Sequence, residues 1–309
     1  MEQNMMIFSL SANVELTRQV CSLLSIPMGK VEISCFADGE LLPRSLDNVK
    51  GKRIYLIQSI YHPVNERLME TLLFIDGIRR AGCGEITFIV PYLGYARQNE
   101  IDKANEPISA EVVANFFNIS GLHEIWTVEL HTPKVRDFFH LPFRHFSSCE
   151  LFAQYFKEQV KKETEDVKDY AVVAPDEGAR ERASKLCSLT GIPHLVTLQK
   201  FRPSPNQAKI VFAKGDVKGK TCIIMDDIID TGGTILAGAQ YLMEQGAKGI
   251  IVFAAHGLFN QGAMEKLQES PCIQQVVITD SVLVENQEKY SKLHQLSLAP
   301  LFAKAIQEE

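Results

Sequence analysis

The chain has 309 residues, 46% of them hydrophobic and 23% charged, the balance of a soluble globular protein long enough for two domains of about 150 residues. Its net charge of −6 supplies no basic field for nucleic acid or an anionic membrane, so an anionic substrate must be held by local groups. No stretch approaches the roughly 18 uninterrupted apolar residues of a membrane span, the N-terminus lacks the basic and apolar regions of a secretory signal, and seven scattered cysteines without a CxxC predict reduced core thiols in a cytoplasmic protein.

Taken in chain order, short apolar runs rich in β-branched residues predict strands at MMIFSL (5–10), RIYLIQS (53–59), EITFIVPYL (85–93) and EIWTVEL (124–130). After a charged helix expected near 147–168, further strands are predicted at YAVVAPD (170–176), LVTLQK (195–200), CIIMDD (222–227), IIVFAAH (250–256) and QVVITD (275–280). Segments of helical period separate them, such as residues 63–82, which carry a glycine stop. Continuous apolar strands separated by helices imply an α/β protein with mainly parallel sheets covered on both faces. Function in such sheets gathers beyond the carboxyl ends of the strands.

The chain also repeats itself. Cys21 to Pro27 recurs at Cys187 to Pro193, Gly51-Lys52 at Gly219-Lys220, and residues 79–92 at 243–256, in the same order and at separations of 164 to 168 residues. Two tandem copies of one domain explain this, with boundaries expected at 1–147 and 148–309.

The strongest local signal runs from Ile223 to Ile235. Four apolar residues lead into Asp226 and Asp227; a buried strand cannot easily hold a carboxylate on each face, which places the pair at the strand's exit. Asp230, Thr231, Gly232, Gly233 and Thr234 then supply small residues and hydroxyls before a helix, a backbone cradle for phosphate. Acids that accept hydrogen bonds from vicinal ribose hydroxyls, followed by such a cradle, suit a sugar phosphate. This segment resembles the phosphoribosyl-pyrophosphate motif of the type I phosphoribosyltransferase fold.

Phe36-Ala-Asp-Gly-Glu40, Tyr92 to Gln98, Glu106 to Ala110, Leu130-His131, Pro175-Asp176 and Lys200-Phe-Arg202 with Pro205-Asn206 occur in this order. With the duplication, they resemble the ribose-phosphate pyrophosphokinase family over nearly the whole chain. The resemblance implies two phosphoribosyltransferase-like domains and transfer of pyrophosphate from ATP to ribose 5-phosphate. It implies that Phe36, Asp38 and Glu40 hold adenine by entering a neighbouring subunit's site, and that Arg97 and Gln98 bind ATP. His131 and Asp176 would organise Mg²⁺, and Asp226 to Thr234 would hold ribose 5-phosphate. Lys200 and Arg202 would close over the transferring group on a mobile loop, for which FRPSPNQAK (201–209), with two prolines and no periodicity, reads as the sequence. The family pattern also implies a homo-oligomer, a hexamer built from dimers, in the cytoplasm.

Several positions depart from that pattern. Glu100 replaces an expected positive charge, Glu129 an aspartate, Phe201 a basic residue, and Asn48 and Lys50 a serine and an arginine near a regulatory phosphate site. Glu177 and Ala179 stand in the pyrophosphate loop, where alanine cannot freely take the positive φ open to glycine. These changes keep two alternatives open: a non-catalytic regulatory paralogue, and a phosphoribosyltransferase that consumes phosphoribosyl pyrophosphate.

Overall fold

A computed structural model describes residues 4–101, 103–162, 165–204 and 207–309, the side chains of 200–213 excepted. Contacts divide the chain into two compact units, the first formed by Met1–Phe146, Ser281–Leu283 and Ser297–Glu309, the second by Ser147–Asp280 and Val284–Leu296.

In the first half of the chain, β1 (Met5–Ser9), α1 (Val14–Leu24), a hairpin of β2 (Val31–Cys35) and β3 (Leu41–Ser45), β4 (Arg53–Ile57), α2 (Val64–Arg80), β5 (Ile86–Val90), α3 (Ser109–Ser120), β6 (Glu124–Val128) and β7 (Phe143–Phe146) follow one another. A five-stranded parallel sheet, ordered β1-β4-β5-β6-β7, forms the centre of the unit. Its middle strands are apolar on both faces because helices cover both: every residue of β5 is buried, as are Ile54 to Ile57 of β4.

The second half repeats this order: α4 (Cys149–Tyr155), β8 (Tyr170–Ala174), α5 (Arg180–Thr190), β9 (Leu195–Ser204), β10 (Gln207–Lys214), β11 (Thr221–Ile229), α6 (Gly233–Glu244), β12 (Gly249–Gly257), α7 (Ala263–Glu269), β13 (Ile273–Thr279), β14 (Leu293–Leu296) and α8 (Ala299–Gln307). Its sheet has seven strands, ordered β10-β9-β8-β11-β12-β13-β14, parallel except for β10 at the edge. Strand alternation builds a core on each face. Val173, Ile224 and Val252 meet Ile235, Ala239 and Leu242 on one side, while Val172, Ile223 and Ile251 meet Ala183, Leu186 and Phe152 on the other.

The last helix of each repeat packs away from its own repeat. Helix α4 follows β7 in sequence yet packs on α5 in the second unit, and α8 follows β14 yet packs on α1 in the first.

Two expectations need correction. The single charged helix near 147–168 is not what forms: α4 ends at Tyr155, one wider turn covers Phe156–Val160, and a 3-10 turn sits at Val167–Asp169. The stretch read as a non-periodic loop at 201–209 is a hairpin, in which Phe201 faces Lys209 and Lys200 faces Ile210. Its prolines are compatible with that because an edge hairpin need not use every N–H; Pro205 and Asn206 lie outside the described residues. All seven cysteines are free. Among the described residues, no helix is long and apolar enough to cross a membrane.

Candidate functional site

The acids of the second unit lie inside a strand, not beyond its exit. β11 pairs with β12 as far as Ile229, but its pairing with β8 stops at Ile224. From Asp226 onward the strand therefore has a neighbour on one side only. Carboxylates that a two-sided strand could not accommodate are accepted there, which is the physical reason for this correction.

Asp227 is only 4% exposed, and Asp226 is half-buried beside it. Asp226 Oδ1 accepts a hydrogen bond from the Asp227 N–H at 2.9 Å. Arg182, from the first turn of α5, places Nη1 3.0 Å from Asp227 Oδ1 and 3.6 Å from Asp226 Oδ1. Burial first, and the Asp227 carboxylate second, push the Asp226 carboxyl well above the usual carboxylate range, while Arg182 pulls the other way.

After β11 the chain turns into α6. Gly232 takes φ +73° as the residue before the helix, a conformation that costs a side-chain-bearing residue strain. Thr231 and Gly233 are exposed, and no side chain caps the start of this twelve-residue helix. The N–H groups of its first turn, with the helix dipole behind them, have the polarity that favours an anion. Asp230 accepts a 2.7 Å hydrogen bond from Asn260 Nδ2, which fixes one side of the turn.

Asp176 follows β8, and its Oδ1 accepts from the Ala179 N–H at 3.2 Å at the start of α5. Ala179 is buried with φ −83°, an ordinary right-handed value, so the expected need for a positive φ there does not arise. Glu177 pairs with Arg180 at 3.3 Å on the exposed side of the turn. Lys200 and Arg202 lie on β9; their side chains fall outside the described part of the structure.

The remaining candidates lie in the first unit. Phe36, Asp38 and Glu40 form the tip of the β2–β3 hairpin, closed by Phe36 N–H to Glu40 O at 2.8 Å and Gly39 N–H to Phe36 O at 2.9 Å. Asp38 Oδ1 accepts from the Glu40 N–H, and the Phe36 ring is 56% exposed. Arg97 is exposed in the segment between β5 and α3. Gln98 already has work there: its Oε1 accepts from the Ser109 N–H at 2.7 Å and its carbonyl from Ala110 N–H, which caps α3. Glu100 pairs with Lys134 at 3.3 Å. His131 is exposed just beyond β6, where the preceding Leu130 N–H donates to His145 Nε2. Asn48 lines a cavity of about 210 Å³ with Arg44, Ser45 and Asp47, floored by Phe74 and Ile78.

Among the described residues no group of three or more His, Cys, Asp or Glu side chains is arranged to hold a metal. The imidazole of His131 and the carboxylate of Asp176 are, each by itself, donors of a kind Mg²⁺ accepts, since that ion keeps several waters and takes few protein ligands alongside substrate phosphates. Sequence reasoning did not give Asn260 or the contact of Arg182 with the acid pair, because both depend on which side chains the fold brings to β11.

Comparison with known proteins covers both halves of the chain. Residues 5–121 match the N-terminal domain of ribose phosphate pyrophosphokinase, and residues 155–308 the phosphoribosyl synthetase-associated domain. The chain is 36% identical to a ribose-phosphate pyrophosphokinase of Bacillus cereus over 99% of its length and 94% of that protein's. It is 39% identical to one from Caldanaerobacter subterraneus, over 97% of this chain and 93% of the other. The crystal structure of phosphoribosylpyrophosphate synthetase from Mycobacterium smegmatis superposes with a TM-score of 0.89 at 35% identity, covering 99% of this chain and 98% of that one.

Proposed function

Because the chain belongs to the ribose-phosphate pyrophosphokinase family, we propose that it transfers the pyrophosphoryl group of ATP to the 1-hydroxyl of ribose 5-phosphate, giving phosphoribosyl pyrophosphate and AMP. The observation that carries this reading is the pair Asp226 and Asp227 on the one-sided end of β11, running directly into an uncapped helix start. The acids accept hydrogen bonds from the 2- and 3-hydroxyls of the ribose. The N–H groups after Asp230, with the Thr231 and Thr234 hydroxyls, take the 5-phosphate.

In the reaction the 1-hydroxyl oxygen bonds to the β-phosphorus, the bond from that phosphorus to the bridging α–β oxygen breaks, and AMP departs with that oxygen. The hydroxyl proton leaves to solvent. Such a transfer leaves the protein mainly positioning and charge stabilisation to perform. Lys200 and Arg202 supply cationic stabilisation from the β9–β10 hairpin, whose closure also excludes water. Arg97 and Gln98 bind ATP, and Phe36, Asp38 and Glu40 supply an adenine contact to a neighbouring copy, consistent with the exposed Phe36 ring. His131 and Asp176 would hold Mg²⁺, which when bound neutralises charge on the phosphates. The enzyme is then a cytoplasmic homo-oligomer, a hexamer built from dimers.

A second reading, a non-catalytic paralogue that regulates a synthetase, draws on Glu100 and Glu177, two exposed acids at positions where the family carries other residues. One assay separates the two. Purified protein given Mg²⁺, ATP and ribose 5-phosphate is expected to form AMP and phosphoribosyl pyrophosphate in equal amounts. Absence of both, from a folded protein, would leave the regulatory reading.

A further inference from the structure

We infer that Arg182 is the positioning residue of the ribose 5-phosphate subsite, holding the Asp226–Asp227 pair in the ionised, aimed state that sugar hydroxyls require; this rests on the function proposed above. Two adjacent carboxylates on one strand repel each other, and both here have lost much of their water. Either the pair binds a proton or a cation offsets it. One guanidinium nitrogen of Arg182 lies within 3.6 Å of an oxygen of each acid, and the arginine side chain is itself only 13% exposed. Arginine keeps its charge under all working conditions, and its fork fixes direction as well as charge.

Asp227 stands beside Asp226 on β11 and raises its carboxyl; Arg182 on α5 lowers it; β12 places Ala254 opposite, with the buried His256 two residues further on. Among the described residues, Arg182 is the cation placed against both carboxylates. Its position also explains why it is separate from the groups that meet phosphate: it approaches the acids from α5, whereas the phosphate cradle opens at α6.

A contact that merely anchors α5 to β11 predicts a different outcome from one that sets the charge of the pair. In titration calorimetry, Arg182→Gln is expected to weaken ribose 5-phosphate binding about tenfold at pH 7 while ATP affinity stays within about twofold, in line with loss of a charge-assisted contact. The loss should be larger at pH 6 and shrink toward pH 8.5, because a higher pH ionises the unsupported pair. Arg182→Lys, which restores charge but not the fork, should recover most of the pH profile. Unchanged ribose 5-phosphate affinity and pH profile in a folded Arg182→Gln protein would overturn the inference, as would equal loss for ATP. Carboxyl titration of the aspartates by NMR, without substrate, gives an independent reading: the pair should titrate at higher pH in Arg182→Gln than in wild type, and an unmoved titration refutes the role. Should Arg182→Gln not fold, the same titration on Arg182→Ala applies, with the same two outcomes. If wild-type protein binds no ribose 5-phosphate, the proposed function fails, while the NMR titration still judges Arg182.

Discussion

Strands β4 and β11 open alike and end differently. Each follows a Gly-Lys pair, and the offset of 168 residues between Gly51 and Gly219 sets Gln58 at the place of Asp226 and Ser59 at that of Asp227. In the first unit that place is closed. Gln58 accepts from Ala12 N–H at 2.9 Å and donates to Glu70 at 3.0 Å, and Glu70 also receives the N–H and hydroxyl of Ser11. Ser59 donates its N–H to Asn13 Oδ1 and its hydroxyl to Ser281 O, and its hydroxyl accepts from Tyr92 N–H. Gln58 and Ser59 are fully buried, and these bonds are internal to the unit. In the second unit the same place carries two carboxylates, of which Asp226 has its carboxyl pushed up by burial and by Asp227, and one arginine. A satisfied polar network stabilises its fold; a pair of acids left open to a ligand lowers stability in exchange for binding. The duplicated architecture thus closes one strand end with internal hydrogen bonds and gives the other two acids and an arginine.

Three experiments press on this contrast. The largest effect is expected at the hairpin: Lys200→Ala should lower kcat about a thousandfold with little change in KM, from the ~10³–10⁵ attached to a single cation in phosphoryl transfer. Single-turnover chemistry at the wild-type rate would remove Lys200 from the mechanism. Next, Asp227→Ala should weaken ribose 5-phosphate binding about ten- to a hundredfold with ATP nearly unaffected, whereas Gln58→Ala should leave both affinities intact and cost about 1–3 kcal/mol of stability by stranding buried partners. Calorimetry and thermal unfolding on the two variants test the comparison directly, and it breaks if their effects interchange.

The smallest effect concerns pH. The folded-state pKa of Asp226 is raised, so its contribution favours the fold at low pH and turns unfavourable as pH climbs through the raised value. Asp226→Asn should therefore stabilise the protein at pH 7 by about 1–2 kcal/mol, a gain of the kind obtained when a binding residue is made structural. The advantage should fade toward pH 4, where the wild-type carboxyl is protonated in both states. A variant less stable than wild type at pH 7 would show that burial is not the dominant force on Asp226.

Much of the fold could be read from the sequence because parallel strands are apolar on both faces. The runs at 54–57, 86–90 and 171–174 carry no polar alternation to confuse them. The β2–β3 hairpin was hidden for the converse reason: from Glu32 to Cys35 its residues are exposed, so no burial pattern marks them. Prolines disguised β9–β10, whose edge position tolerates them. Asp226 and Asp227 were legible as an adjacent acid pair after an apolar run, but their place within β11 was not, since the sequence does not record that β8 stops pairing at Ile224. Arg182 stands at a position where the family pattern is basic, but its contact with two carboxylates is visible only in the structure.

The crossing of the last helices has a consequence for how the chain is made. Everything in the second unit, from Ser147 to Leu296, has been synthesised before Ser297 appears. The first unit cannot close until Ser297–Glu309 leaves the ribosome and α8 reaches α1. Domains ordinarily fold N-terminal first during synthesis. Here the half that is made first is finished last, so translation runs in one direction and completion of the native state in the other.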